Sequence, residues 1–389
     1  MKTLTNLPRN VWILGLVSLL TDISSEMIHS VLPLFLVSAL GANLPTVGAI
    51  EGIAESTASL LKVFSGALSD YRGKRKELAL AGYGLSALVK PLFALAMNPF
   101  WVLMARFGDR VGKGIRVAPR DALVADVTTE ENRGAAYGLR QSLDTVGAFL
   151  GPLFAFALLS LSAQNFRLVF SLALIPGFLS VGLLAVGIEE SKRPKQKTPT
   201  NPLKWSALAS LGRDYWCLVG VALLFNLGNS SDAFLLLRAK QVGIPTLQIP
   251  LTLVMMNLAY SLSAYPAGLL SDRIGRLGLL TVGLSLHALV YFGFALANSP
   301  GLLWGLFALY GLHLGMSQGV LLAIVADRVP ARLRGTAFGT INLATGIALL
   351  PASLLAGFLW QEISPQAAFL AGSFLAVAAI ALLMANYRP

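Results

Sequence analysis

Arg106, Asp109, Arg110, Lys113, Arg116, Arg120 and Asp121 fall within sixteen consecutive residues, 106–121. Wound into a helix at 100° per residue, they occupy an arc of about 140°, and Phe107, Val111 and Ile115 fill the opposite side. Guanidinium groups grip carboxylates and phosphates bidentately, so such a stripe suits either an organic anion or a set of internal carboxylates. Three other segments carry charge in the same way. Asp22, Ser25, Glu26 and His29 share one helical face; Glu51, Glu55 and Lys62 align, with Ser65 close by; Arg140 and Asp144 are one turn apart. Lys90 sits alone in a further apolar segment. Eight bases (Lys62, Lys90, Arg106, Arg110, Lys113, Arg116, Arg120, Arg140) thus meet seven acids (Asp22, Glu26, Glu51, Glu55, Asp109, Asp121, Asp144). This near-balance predicts an ion-pair network lining a cavity. Proton exchange needs a carboxylate whose charge is opposed by burial and relieved by a nearby cation. Asp22 and Glu26 are the first candidates, Glu51, Glu55 and Asp144 follow, and His29 is a relay. Arg106, Arg110, Lys113 and Arg140 are candidates to hold substrate. The competing reading is that the pairs only fix helix packing; buried pairs add little net stability over apolar packing, so their number favours a working role.

The elements that must carry these charges are membrane helices. Hydrophobic residues are 55% of the chain and charged residues 13%, about half the charged share of a soluble protein. Twelve apolar stretches are long enough to cross a bilayer: 11–40, 46–69, 77–97, 100–124, 135–160, 166–188, 215–238, 246–271, 277–297, 301–325, 335–360 and 365–387. The first is too long for a cleaved signal and is interrupted by Asp22 and Glu26. The net charge of +11 raises a nucleic-acid reading, which its distribution opposes. Lys and Arg crowd the loops after the even-numbered spans and are missing from 41–46, 98–99 and 298–300. That asymmetry predicts both termini in the cytoplasm, and a bacterial inner-membrane location is expected. Arg238 and Lys240 break the pattern and are expected to snorkel to headgroups. The polar stretch 189–204, with three prolines, reads as a cytoplasmic linker between six-span halves 1–188 and 205–389.

The halves are copies. Gly66, Asp70, Gly73 and Lys74 return as Gly268, Asp272, Gly275 and Arg276, with 272 − 70 = 202. Asp126, Arg133-Gly134 and Gly138 return as Asp327, Arg334-Gly335 and Gly339, with 327 − 126 = 201. Six plus six spans, a basic central loop and Gly-x-x-x-Asp-x-x-Gly-[Lys/Arg] after spans two and eight resemble the major facilitator superfamily over the whole chain. Tyr71 stands where that family usually has Arg or Lys. The resemblance implies an all-α membrane fold of twelve helices in two pseudo-symmetric six-helix bundles that carries a small molecule by alternating access. Span five matches part of the family's antiporter motif at Gly138, Gly147, Gly151 and Pro152; the closing Gly-Gly pair is absent. Gly66, Asp70, Gly73, Asp126, Arg133, Gly147, Gly151, Pro152, Asp272, Gly275, Asp327 and Arg334 are the expected gating residues, with Asp126 pairing Arg133 and Asp327 pairing Arg334.

The charge network is not duplicated. At the same offset Arg106, Arg110 and Lys113 become Phe307, Gly311 and Leu314. The second half offers Asn229, Asp232, Asn257, His313 and Gln318 as polar contacts for substrate beside an aromatic wall that includes Tyr260, Phe307 and Tyr310. The partial antiporter motif favours proton-coupled export of amphipathic compounds; the cationic stripe favours an organic anion or anionic metal chelate moving in either direction. A metal-ion carrier and a transport-inactive membrane sensor are weaker alternatives. Three His and one Cys assemble no visible metal-ligand set. No nucleophile triad or phosphate loop appears, so an enzyme is not expected. The expected partners are substrate, protons and the bilayer, with no cofactor, no nucleic acid and a monomeric chain.

Overall fold

The computed structural model describes residues 7–72, 74–128, 133–188, 211–329 and 334–386. In chain order the helices are α1 Arg9–His29, α2 Leu32–Leu34, α3 Leu44–Arg72, α4 Arg75–Val89, α5 Pro91–Leu95, α6 Pro99–Asp126, α7 Arg133–Leu161 and α8 Phe166–Gly187. They continue as α9 Arg213–Gly228, α10 Asp232–Val242, α11 Ile249–Ile274, α12 Arg276–Leu296, α13 Pro300–Arg328, α14 Arg334–Glu362 and α15 Pro365–Asn386. A π-helical turn, Phe35–Ala39, follows α2, and a 3₁₀ turn, Thr246–Gln248, precedes α11. Among the described residues no strand occurs. The linker expected at 189–204 lies outside the described residues.

Among the described residues, nine helical stretches are long and apolar enough to cross a membrane on composition alone. The long helices α3 and α6 are the ones that carry the charges. Many exposed side chains are apolar, with Val186 at 90% and Phe374 at 72% exposure. Surfaces of that kind are stable against lipid and not against water.

Local signals set the helix ends. The Asn98 side chain accepts hydrogen bonds from the amides of Phe100 (3.1 Å) and Trp101 (3.4 Å), and Pro99 opens α6 with its ring already at a helical φ. Gly243 ends α10 at φ +112°, a left-handed conformation that glycine adopts without a Cβ penalty. Three of the expected spans are broken inside. The first changes to α2 and the π turn after Ser30; the third breaks at Lys90, ahead of Pro91; the seventh breaks at Asn229–Ser231, between α9 and α10. Backbone groups released inside a bilayer must find protein partners, so such breaks occur only where polar groups are enclosed.

The described contacts divide the chain into two compact units. Unit 1 holds Met1–Phe35 and Thr57–Asn201; unit 2 holds Leu36–Ser56 and Pro202–Pro389. The division falls inside α3, so Glu51 and Glu55 group with unit 2 while Lys62 belongs to unit 1. In unit 1, α1 packs on α7 and α8, and α4 on α6. Its apolar core includes Val11, Leu14, Val17, Tyr83, Val124 and Leu184. In unit 2, α11 packs on α13, and α12 on α13 and α15. There the first half of α3 lies against α14: a Cβ on Gly48 would strike the Ser353 carbonyl oxygen, and one on Gly357 would come within 2.6 Å of the Leu44 carbonyl oxygen.

Arg238 corrects the expectation of snorkelling. It is 5% exposed and donates to the carbonyl oxygens of Phe294 (3.0 Å), Ala295 (3.3 Å) and Ala297 (2.7 Å). These are the orphan acceptors at the C-terminal end of α12, where a cation is also favoured by the helix dipole. Arg167 does the same in unit 1, donating to Ala94 O (2.6 Å) and Ala96 O (2.7 Å) at the end of α5. Lys240 reaches the hydroxyl of Thr246.

Gly311 tests the packing of unit 2, because its missing Cβ would run into the backbone oxygen of Met256 on α11. Gly311→Ala is expected to lower the melting temperature of purified protein, with overpacking costing about 1–3 kcal/mol. Gly305→Ala, on the same helix with nothing near its Cβ position, is expected to be neutral or to add about 0.5–1 kcal/mol through helix propensity.

Candidate functional site

The charged arc of α6 faces the interior of unit 1. Arg106, Asp109, Arg110, Arg116 and Arg120 are buried at 2–8% exposure, Lys113 is half-buried, and Phe107 on the opposite side is 42% exposed. Five cations on a lipid-facing surface would cost several kcal/mol each; α4 and α7 supply the partners that avoid this. On the α4 side, Arg116 donates to Ser86 Oγ (2.5 Å) and lies over the Tyr83 ring at 4.8 Å, while Ser86 Oγ donates to the Asp109 carbonyl oxygen (3.1 Å). Gly82 allows that approach, since a Cβ there would come within 2.6 Å of the Gly112 carbonyl oxygen. On the α7 side the charges form a ladder. Arg120 reaches Ser18 Oγ (3.1 Å) and Asp121 (3.0 Å); Arg140 reaches Asp121 at 3.6 Å and pairs with Asp144. Tyr137 closes it by donating to the Asp121 carbonyl oxygen at 2.7 Å. Asp109 pairs with Arg110 at 3.7 Å.

Asp22 and Glu26 stand on the α1 side of this cluster. Glu26 lies 3.5 Å from His29 Nδ1. Asp22 makes no direct hydrogen bond or ion pair among the described residues; Asp144, Lys113, Arg120 and Glu26 act on it through space. The span-five glycines bear on both carboxylates. A Cβ on Gly147 would lie 2.9 Å from Asp22 Cβ, and one on Gly151 would lie 2.5 Å from Glu26 Cβ. Their absence lets α7 close onto α1 at the two acids. Pro152 is inside α7 without ending it. Arg75 of α4 lies 2.5 Å from Asp126, an ion pair the sequence did not indicate. Gly66, Asp70, Gly73, Arg133, Asp272, Asp327 and Arg334 lie outside the residues whose side chains are described. Gly275 has φ +84° at the junction of α11 and α12, a conformation suited to glycine.

Unit 2 gathers a different polar centre. Tyr291 and Tyr310 each place a hydroxyl 3.1 Å from Asn229 Oδ1, and the Tyr310 hydroxyl is also 3.2 Å from Asp232 Oδ1. Asn229 and Asp232 flank the break between α9 and α10. His313 Nδ1 is 2.8 Å from the Gly283 carbonyl oxygen, which can only accept, so Nδ1 carries the proton. His287 stacks on Tyr291 at 4.2 Å and lies 4.7 Å from the His313 ring. Three predicted substrate contacts, Asn229, Asp232 and His313, are therefore brought into one cluster. Asn257 is half-buried and Gln318 exposed, and Glu51 is fully buried and Glu55 half-buried in the same unit. Tyr291 and His287 were missed by the sequence reading; both lie on one face of α12 four residues apart, but in an apolar segment that spacing looks like ordinary core.

A helical membrane protein that encloses ionised groups in its spanning bundles has the build of a solute carrier. The family model for the Major Facilitator Superfamily matches residues 14–352 and 232–389, and the chain belongs to that family. An uncharacterized MFS-type transporter of Methanocaldococcus jannaschii is 34% identical over 384 residues, covering 97% of this chain and 95% of the relative. The multi-drug resistance efflux pump PmrA of Streptococcus pneumoniae is 27% identical, covering 78% of this chain and 76% of its own. Among solved structures, the human organic anion transporter MFSD10 matches with TM-score 0.70 at 18% identity, covering 96% of this chain and 99% of that one. The nucleoside transporter NupG matches with TM-score 0.82 at 13% identity, covering 97% and 100%. At such identities these structures speak for the fold alone.

Arg140 tests the ladder, since it pairs with Asp144 and faces Asp121. Arg140→Gln is expected to destabilise the protein by about 3–5 kcal/mol, because it leaves Asp144 without its buried cation. The double change Arg140→Gln/Asp144→Asn is expected to recover part of that loss in thermal unfolding; a double variant no more stable than the single one would show that the two groups are not coupled.

Proposed function

We propose that this chain is a proton-coupled secondary transporter that exports a small amphipathic molecule across the cytoplasmic membrane by alternating access. The observation that carries the reading is Asp22. It is a carboxylate inside a membrane bundle, held against α7 by Gly147, with cations acting through space and no direct partner to lock it ionised. A group so placed can change protonation without breaking a hydrogen bond. Glu26, paired with His29, stands one turn further on and completes a two-carboxylate path. Export is supported by similarity to the efflux pump PmrA and by the partial antiporter motif at Gly147, Gly151 and Pro152. In this reading the halves 1–188 and 205–389 move against one another, and both termini are cytoplasmic.

A second reading concerns the cargo. Between residues 106 and 121 there are five cations and two carboxylates. Guanidinium groups grip carboxylate and phosphate bidentately, so a face of this kind favours an organic anion as cargo.

The test is flux in liposomes under an imposed pH gradient, with ethidium and phthalate as the cationic and anionic probes. Asp22→Asn and Glu26→Gln are expected to abolish gradient-driven flux while leaving the chromatographic profile and melting temperature of a folded protein. Full flux in both variants would refute proton coupling through these residues. Saturable transport of ethidium selects the amphipathic-export reading; saturable transport of phthalate selects the anion reading.

A further inference from the structure

Lys90 is buried at 1% exposure at the break between α4 and α5, and the established pairs of the α6 ladder do not use it. Its ammonium donates to the hydroxyl of Ser24 and lies 3.4 Å from Ser25 Oγ, both on α1. Among the described residues it has no carboxylate within ion-pair distance. The charges acting on it through space are Asp109, Arg116 and Arg110 on α6 and Asp22 on α1. From α8 it is faced by Gly177, where a Cβ would lie 2.9 Å from Ser24 Oγ and 3.5 Å from the Lys90 side chain.

The hydrogens decide what this group can do. Ser24 Oγ gives its only hydrogen to the Ala173 carbonyl oxygen at 2.5 Å, so it can only accept from Lys90. Ser25 accepts from Lys90 but donates to nothing among the described residues, not even to the preceding helical turn, which is the common fate of a helical serine. An ammonium has three N–H donors, and two acceptors are supplied. The third N–H of Lys90 and the O–H of Ser25 are therefore donors in excess at one place. Ser25 is half-buried and so marks the side from which a ligand enters.

We propose that Lys90 and Ser25 form an oxyanion cradle that takes a carboxylate or phosphate group of the transported molecule, an assignment that rests on the organic-anion reading above. Two convergent donors, one of them cationic, match the acceptor oxygens of such a group, and the bound anion supplies the counter-charge that Lys90 lacks. Ser24 positions Lys90 and does not touch the ligand. The break ahead of Pro91 turns the lysine out of a regular helix and toward α1.

The cradle is testable before any substrate is known. In a Cys217→Ser background, Ser25→Cys places a thiol at the site. Its reaction rates with an anionic reagent (sulfonatoethyl methanethiosulfonate) and a cationic one (trimethylammonium-ethyl methanethiosulfonate) are compared, each divided by the rate with free cysteine. With Lys90 present the anionic reagent is expected to be favoured by about tenfold, from one unit charge at close range. Lys90→Gln removes the preference and Lys90→Arg retains it, with folding of each checked by size-exclusion chromatography. Equal ratios in all three, or no reaction with either reagent, would overturn the cradle. Slowing of the anionic reagent by phthalate marks a carboxylate ligand, by inorganic phosphate a phosphate ester, and only in phosphatidylglycerol nanodiscs a lipid headgroup; no slowing by any of them also overturns it. Charge selectivity here without phthalate flux in liposomes would sink the organic-anion reading and leave the cradle; phthalate flux without charge selectivity would sink the cradle alone.

Discussion

The structure of unit 1 is governed by the need to keep α6 charged and out of contact with lipid. A helix with Arg106, Arg110, Lys113, Arg116 and Arg120 on one face has one tolerable orientation in a bilayer, which is inward. Once α6 is turned that way, its neighbours are constrained. α4 must bring Ser86 and the face of Tyr83, α7 must bring Asp144, and α1 must bring Ser18 and Asp22. The glycines follow from the same demand, because α7 can place its carboxylate among these cations only by lying close on α1. Gly147 and Gly151 make that possible at the level of Asp22 and Glu26, which ties the span-five motif to the two acids by contact.

Unit 2 solves a different problem. It lacks the cations of α6, and Gly311, where unit 1 has Arg110, is used for close packing against Met256. Its polar centre gathers tyrosine hydroxyls, an amide and a carboxylate around the break between α9 and α10. Asn229 and Asp232 lie beside released backbone there, and Tyr291 and Tyr310 reach them from α12 and α13. The duplicated scaffold thus carries a row of cations in one unit and a tyrosine-centred hydrogen-bond cluster in the other. On these grounds the proposals of proton exchange and anion binding concern the first.

Much of this was legible in the sequence because the bilayer simplifies the pattern. Apolar length marked the helices, and the 100° period placed the α6 charges on one face, which is the buried face in the structure. The duplicated loop motifs pointed to the family. What was not legible depends on contacts between distant residues. Arg238 looked like an interfacial anchor because its acceptors, the last carbonyls of α12, lie more than fifty residues away. Arg75 as a partner of Asp126 could not be read from spacing, and the expected partner Arg133 lies outside the residues whose side chains are described. His287 and Tyr291 sit in an apolar run and carried no signal apart from their polar atoms. Glu51 and Glu55 share a helix with Lys62, yet their packing belongs to the other unit, because α3 is divided by its neighbours and not by its own periodicity.

The central claim is that the charged face of α6 borders water during the working cycle while its opposite face borders lipid. Single cysteines introduced by Arg106→Cys, Arg110→Cys and Lys113→Cys, and by Phe107→Cys, Val111→Cys and Ile115→Cys, can be titrated in intact membranes with a membrane-impermeant maleimide. The account predicts labelling at 110 and 113 above that at 107, 111 and 115, rising and falling with the helical repeat. Labelling confined to 107, 111 and 115, or none at 110 and 113 from either side of the membrane, would contradict it.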